Sequence, residues 1–124
     1  MNNLNRVTLL GNLGKDQKIE KGENAHAQLS LATHTIWKDK NGEYKQSTEW
    51  HSIKVFNESL LETVVPKLRK GDLVFIEGSL RTRKWLDKIG NPHHTSEVIV
   101  GRVTGKILLL KGSLEVLDDM PLEK

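Results

Sequence analysis

The most constraining feature of the sequence is the two-residue alternation of residues 25–37, AHAQLSLATHTIW. Ala27, Leu29, Leu31 and Thr33 share one face of an extended segment, and mostly polar or small side chains occupy the other. A period of two is typical of a strand that is buried on one side, whereas an amphipathic helix repeats every three to four residues. The segment therefore predicts a long, half-buried β-strand.

Other segments of the chain are also rich in strand-forming residues. Further strands are predicted at residues 5–13, 47–56, 73–80 with a continuation to 85, and 95–110, the last as one strand or a pair. In the segment 47–56, Ile53 and Val55 share a face with His51 and are expected to point into the core. The opposite face of this segment carries Trp50, Ser52, Lys54 and Phe56.

One helix interrupts the strands. Apolar residues recur at helical spacing within residues 58–70, with Ser59 as a candidate N-cap, Pro66 inside and Gly71 as the stop. The dipeptide Asn41-Gly42 predicts a hairpin turn, since both residues accept a positive φ. Five strands with one helix between the third and the fourth predict an all-β chain with the OB-fold, a closed antiparallel Greek-key barrel of five strands.

Length and composition set outer limits on the function. The 124 residues are expected to form one OB-fold domain over 1–112 with a short, flexible, acidic C-terminal end at 113–124. The net charge of +3 is too small to indicate nucleic-acid binding by itself. The chain has no cysteine, and no apolar run is long enough to cross a membrane or serve as a signal peptide. We expect a soluble, intracellular protein.

The three tryptophans carry the functional signal. Trp37, Trp50 and Trp85 each have charged neighbours within two residues, and none lies in an apolar run. A single tryptophan in a small β protein is more often part of the core, but three in charged surroundings favour an exposed role. Cationic side chains cluster around these tryptophans and Phe56: Lys38, Lys40, Lys45, Lys54, Arg81, Arg83, Lys84 and Lys88. Aromatic platforms interleaved with cations predict binding of single strands by base stacking and phosphate contacts.

Catalytic and metal sites are not indicated by any motif. The segment Gly11-Asn12-Leu13-Gly14 has two glycines at a spacing that only weakly indicates a phosphate-binding loop, and neither flank supplies the lysine-threonine pair of such a loop. The strand-end turn is therefore the better interpretation. The five histidines have neither cysteine partners nor a helical pair spacing. We therefore expect no enzyme, no catalytic residue, no bound metal and no cofactor.

Five segments resemble the bacterial and mitochondrial single-stranded DNA-binding protein family, over roughly residues 4–112. They are residues 5–14, Leu31-Ala32-Thr33, Thr48-Glu49-Trp50-His51, Leu68-Arg69-Lys70-Gly71 and Ile76–Trp85. The last two of these groups are the most specific to the family.

The resemblance implies particular roles for residues of this chain. It implies that the bases stack on Trp37, Trp50, Phe56 and Trp85. It also implies that three lysines lie near the DNA, namely Lys40, Lys70 and Lys84. The phosphate contacts expected in total are Lys38, Lys40, Lys54, Lys70, Arg81, Arg83 and Lys84. The family usually assembles as a homotetramer, with His51 at a subunit contact.

The resemblance also implies a place in the cell's DNA metabolism, in the bacterial cytoplasm in association with the nucleoid, with the mitochondrion as the less favoured alternative. Members protect single-stranded DNA in replication, recombination and repair, and an acidic C-terminal tip recruits partner proteins. The residues Asp118-Asp119-Met120-Pro121-Leu122 echo that tip, although Glu123-Lys124 follow.

Two other functions fit the same barrel. An RNA or duplex binder would use the same platforms, because stacking does not read the sugar. A protein-interaction module would use the tryptophans as interface anchors.

Overall fold

The computed structural model describes residues 3–102 and 105–110. The predicted boundary between the OB-fold domain and the acidic C-terminal end, at residue 112, lies outside the described residues, as does the end itself (113–124). The strands are β1 (Val7–Leu13), β2 (Lys18–Glu20), β3 (His26–Lys38), β4 (Tyr44–Val55), β5 (Leu73–Leu86), β6 (Pro92–Val100) and β7 (Lys106–Leu109). The helical segments are α1 (Glu58–Thr63) and a 3₁₀ turn (Val65–Lys67).

Five of these strands close into a barrel in the order β1-β3-β4-β6-β5, and β5 pairs back with β1. The short strands β2 and β7 lie outside this ring and pair with β3 and β5. The helix lies between the third and fourth barrel strands, so the predicted OB-fold is confirmed. The expectation of purely antiparallel pairing was wrong, because β4 and β6 are parallel.

The core lies inside the barrel and is built from alternate residues of each strand. Leu31, Ile53, Ile76 and Val100 are fully buried, as the alternation predicts for the first two. Each large aliphatic side chain buried in this way contributes about 1.5–3 kcal/mol to the free energy of folding. Burial of one face fixes the register of every strand, because a one-residue slip would turn the apolar set outward.

The helix is shorter than the sequence suggests. It begins after Asn57, whose side-chain oxygen accepts a hydrogen bond from Leu60 N at 3.1 Å, so Asn57 and not Ser59 is the N-cap. Pro66 lies in the separate 3₁₀ turn, where its missing N–H does not break an α-helix. Gly71 follows with a φ of +93°, in keeping with its predicted role as a stop.

The β3–β4 turn forms where Asn41-Gly42 predicts it, but with a different geometry. Of its two central residues only Gly42 has a positive φ, +79°. The side-chain oxygen of Asp39 accepts hydrogen bonds from Asn41 N and Glu43 N, each at 2.9 Å, and this contact shapes the loop. Within residues 3–102 and 105–110, no helix is long and apolar enough to cross a membrane.

Candidate nucleic-acid interface

Outward-facing side chains of β4, β6 and β5 form one continuous surface, which we call the outer strand face. In β4 the face carries Trp50, Ser52 and Lys54, which alternate with the buried Ile53 and Val55. In β5 the face carries Arg81, Arg83 and Trp85, which are paired in register with Glu97, Thr95 and His93 of β6. The structure thus brings together five of the predicted site residues: Trp50, Lys54, Arg81, Arg83 and Trp85.

Trp50 is 62% exposed and is paired in register with Ala32 of β3. Its six-membered ring packs directly over Gly14, where no Cβ is present to displace it. A cleft of about 430 Å³ adjoins the ring and is lined in part by Lys15 and Lys18. These two lysines were not predicted, because they lie in a loop and in the short strand β2, far from any tryptophan in sequence.

Trp85 is held from two sides and is still 40% exposed. Its Nε1 donates a hydrogen bond to Thr95 Oγ1 at 2.7 Å. The ring stacks on His93 with centroids 4.6 Å apart and planes 19° from parallel. His93 in turn donates from Nε2 to Asp87 Oδ2 at 2.8 Å. These contacts fix the plane of the indole before any ligand arrives, and neither Thr95 nor His93 was predicted.

The Asp87 carboxylate is stabilised in its charged form by these contacts. The hydrogen bond from His93, followed by those from the backbone of Asn91 and Ile89, holds the pKa of Asp87 below its ordinary value.

Lys54 and Arg83 converge on one buried carboxylate, Glu97. Arg83 Nε donates to Glu97 Oε1 at 2.9 Å, and Lys54 Nζ lies 3.3 Å from Oε2. Burial alone would raise the pKa of Glu97, but the hydrogen bonds from Arg83 and Lys54 outweigh it and lower the pKa. Glu97 is therefore charged at neutral pH and neutralises part of the predicted cationic surface.

Two of the predicted residues of the tryptophan-rich segments lie on other faces. Lys84 is paired in register with His94 and points away from the face that holds Arg83 and Trp85. Trp37 is paired in register with Lys45 in the distal part of the β3–β4 hairpin, and alternation turns it away from the side that carries Trp50. Trp37 is nevertheless 46% exposed.

The hairpin tip carries further cations next to Trp37. Lys38 lies over the ring of Tyr44, 5.7 Å from its centroid, and Lys40 is exposed in the turn. Lys45 lies 3.8 Å from Asp39 and 3.6 Å from Glu43, so its charge is balanced locally. Tyr44 was not predicted, although its position beside Lys38 gives the hairpin a second exposed aromatic ring.

The remaining predicted residues lie at the edges of the barrel. Phe56 follows β4, is half-buried and lies 5.4 Å from the ring of His26. Lys70 is exposed, and its backbone N–H donates to Asp16 Oδ1 at 2.8 Å. His51 is half-buried, with its Nε2 in a 2.8 Å hydrogen bond with Thr33 Oγ1.

Metal ligation finds no support in the part of the chain that the structure describes. No three histidine or acidic side chains come together there in a group that could hold a metal ion.

Comparison with known proteins agrees with the resemblance in the sequence. The model of the single-strand binding protein family matches residues 4–106. A single-stranded DNA-binding protein from Rhizobium meliloti is 39% identical over 112 residues, which cover 88% of this chain but only 64% of that relative, less than two thirds of its length.

Solved structures show the same relationship. A structure described as a Plasmodium falciparum SSB complex with ssDNA has a TM-score of 0.81 at 34% identity and covers 90% of this chain and 98% of that one. A deletion mutant of the single-stranded DNA-binding protein from Thermus aquaticus has a TM-score of 0.70 at 25% identity, over 88% of this chain and 51% of that one. With the matched family model, these similarities establish that the chain belongs to the single-strand binding protein family.

Proposed function

We propose that the outer strand face binds single-stranded DNA without strong sequence preference and without catalysing a reaction. The observation that carries this proposal is that two exposed indoles, Trp50 and Trp85, share one barrel face with Arg81 and Arg83. Every base has a π-face, so stacking on indoles contributes about 1–3 kcal/mol per base whatever the sequence. The Rhizobium meliloti relative is a single-stranded DNA-binding protein and the Plasmodium falciparum structure is a complex with single-stranded DNA, and both support DNA as the ligand.

In this proposal the predicted residues divide into two groups. The bases stack on Trp50 and Trp85 at the two sides of the outer strand face. Two further rings extend the path of the bound strand: Phe56 at an edge of the barrel and Trp37 on the β3–β4 hairpin. The phosphates are neutralised by cations, all of them exposed except the half-buried Lys54: Arg81, Arg83, Lys38, Lys40, Lys54, Lys70 and Lys84.

The experiment that tests the proposal compares three ligands and three variants. Wild-type protein is titrated with a thymine homopolymer, an RNA of matched length and a DNA duplex of matched length. Trp50→Ala and Trp85→Ala are expected to weaken homopolymer binding by about 5- to 150-fold each, the equivalent of losing one stacked base. Leu4→Ala, which removes another exposed apolar side chain, is the matched control.

Each outcome has a distinct meaning. Tight binding of the DNA homopolymer that falls in both tryptophan variants supports the proposal. Stronger binding of RNA would favour an RNA-binding module, and stronger binding of duplex would favour a duplex binder. Full affinity in both tryptophan variants would reject the stacking mechanism, and no binding of any nucleic acid would favour a protein-interaction barrel.

We further propose that the chain assembles with copies of itself, as a homotetramer. A row of apolar side chains crosses the outside of β1, β5 and β7, formed by the register partners Leu10, Phe75 and Leu108. Leu10 is 46% and Leu108 50% exposed, so a second copy would remove this apolar surface from water. The half-buried His51 is the further contact that the resemblance implies.

Sedimentation velocity tests the assembly. The double variant Leu10→Gln and Leu108→Gln is expected to lower the sedimenting mass, because polar groups would then be buried at the contact. Ile89→Gln is the control, since Ile89 is exposed at the β5–β6 turn, away from the row. An unchanged mass in the double variant would reject this surface as the contact.

The cellular role follows from the same proposal. Binding holds single-stranded DNA open and protects it during replication, recombination and repair, in the cytoplasm of a bacterial cell as the bacterial relative suggests. Recruitment of replication and repair proteins through residues 118–122 belongs to this proposal, although that segment lies outside the described residues.

A further inference from the structure

A negative charge is buried within the surface proposed to bind a polyanion. Glu97 is 4% exposed, and of the residues that the structure describes it is the one charged side chain that is buried. It lies on β6 between β4 and β5 and is paired in register with Arg81, so its side chain belongs to the outer strand face, where Lys54 and Arg83 contact it. A carboxylate is costly to bury unless it is paired, and here two cations pair with it.

The pairing determines how much positive charge the face presents. Lys54, Arg83 and Glu97 together carry a net charge of +1, although the sequence suggests two free cations at these positions. The Lys54 side chain is 21% exposed and that of Arg83 is 48% exposed, so both can reach a phosphate while they contact Glu97. A phosphate at this point is attracted by the two cations and repelled by the carboxylate.

We propose that Glu97 limits the cationic charge of the outer strand face and thereby sets the salt dependence and strength of single-strand binding. This inference rests on the proposed function. Glu97 acts through Lys54 and Arg83 and touches no base itself. Its effect is to shift binding from ionic contacts towards the stacking on Trp50 and Trp85, so that the strand can be released more readily at low salt.

The test is the slope of log K against log salt concentration for a thymine homopolymer. Each additional phosphate that is neutralised makes this slope more negative by about 0.7 for single strands. Glu97→Gln removes the carboxylate charge and leaves a net charge of +2 on the cluster, so the slope is expected to become more negative by about 0.7. Binding is expected to become tighter at low salt. Glu97→Asp keeps the charge and is expected to retain the wild-type slope.

Glu62→Gln is the matched control, because it makes the same change in net charge at an exposed position of α1. A slope change in Glu97→Gln that exceeds that of Glu62→Gln supports the inference. Equal slopes in the two variants, or a less negative slope in Glu97→Gln, would overturn it. If the wild-type protein does not bind the homopolymer at all, the proposed function fails rather than this inference.

A folding defect is detected by thermal unfolding of each variant before titration. If Glu97→Gln is unfolded, Lys54→Gln gives a second measurement, since it reduces the net charge of the cluster from +1 to zero. The slope is then expected to become less negative by about 0.7. An unchanged slope in Lys54→Gln would overturn the inference.

Discussion

Replacement of Gly14 by alanine is expected to weaken DNA binding while leaving the fold intact. A Cβ on Gly14 would lie 2.9 Å from Cη2 of Trp50 and closer still to Cζ3. The obstructing group is a side chain that is 62% exposed, so the indole can swing away into solvent. The φ of Gly14 is not positive, so alanine can adopt the same backbone conformation.

The size of the effect follows from the loss of one stacking platform. If the displaced ring no longer stacks, binding weakens by about 1–3 kcal/mol, or roughly 5- to 150-fold. The free energy of unfolding is expected to stay constant or to rise by about 0.4–1 kcal/mol, because alanine restricts the unfolded chain. Gly11→Ala is the contrasting variant. Its Cβ would lie 3.0 Å from the backbone C of Ala32 and closer to the carbonyl oxygen, which cannot move aside without opening the β1–β3 contact.

Two assays separate these effects. In thermal unfolding, Gly14→Ala is expected to have the wild-type melting temperature, and Gly11→Ala a lower one. A titration with thymine homopolymer is expected to show that Gly14→Ala adds little to the loss already caused by Trp50→Ala, because both remove the same contact. Wild-type affinity in Gly14→Ala, or full additivity with Trp50→Ala, would refute the argument that Gly14 positions the ring.

Three further predictions concern stability and the second platform. Leu31→Ala is expected to lower the free energy of unfolding by about 2–5 kcal/mol in urea titrations, since Leu31 is fully buried, and a loss below 1 kcal/mol would contradict its place in the core. Thr95→Val removes the acceptor of Trp85 Nε1 and is expected to weaken homopolymer binding severalfold with little change in melting temperature, whereas unchanged binding would mean that the hydrogen bond does not orient the ring. The pKa of Glu97 is lower in the folded chain than its ordinary value of 4.5, so its stabilising contribution is complete above that value and is lost as the pH falls through the folded pKa. In urea titrations between pH 3 and pH 7, the free energy of unfolding is expected to fall less on acidification in Glu97→Gln than in wild type. An equal fall in the two proteins would contradict this.

Alternation along single strands was sufficient to predict most of the fold. The buried positions of Leu31 and Ile53 follow from a period of two, and the barrel follows from the number of strands and the place of the helix. The parallel pairing of β4 with β6 was missed because the two strands are far apart in the sequence, with the helix and β5 between them, and alternation within one strand does not show its partner. The N-cap was missed because Asn57 and Ser59 are both good capping residues and are only two positions apart in the sequence.

The candidate site was predicted only in part because sequence neighbours of a tryptophan need not share its face. The alternation of residues 25–37 already assigns Trp37 and Leu31 to one side of the strand, and that signal could have separated Trp37 from Trp50. The role of Glu97 could not be predicted in the same way. Its burial depends on Lys54 and Arg83, which reach it from two other strands.

Stacking of the tryptophans on the bases of a single strand is tested most directly by tryptophan fluorescence. The fluorescence is followed during titration with a thymine homopolymer and, separately, with a duplex, at low and high salt. All three tryptophans of the chain are at least 40% exposed. We expect strong quenching by the single strand that persists at high salt and is absent with duplex. If neither ligand quenches the fluorescence, the outer strand face is not a stacking platform.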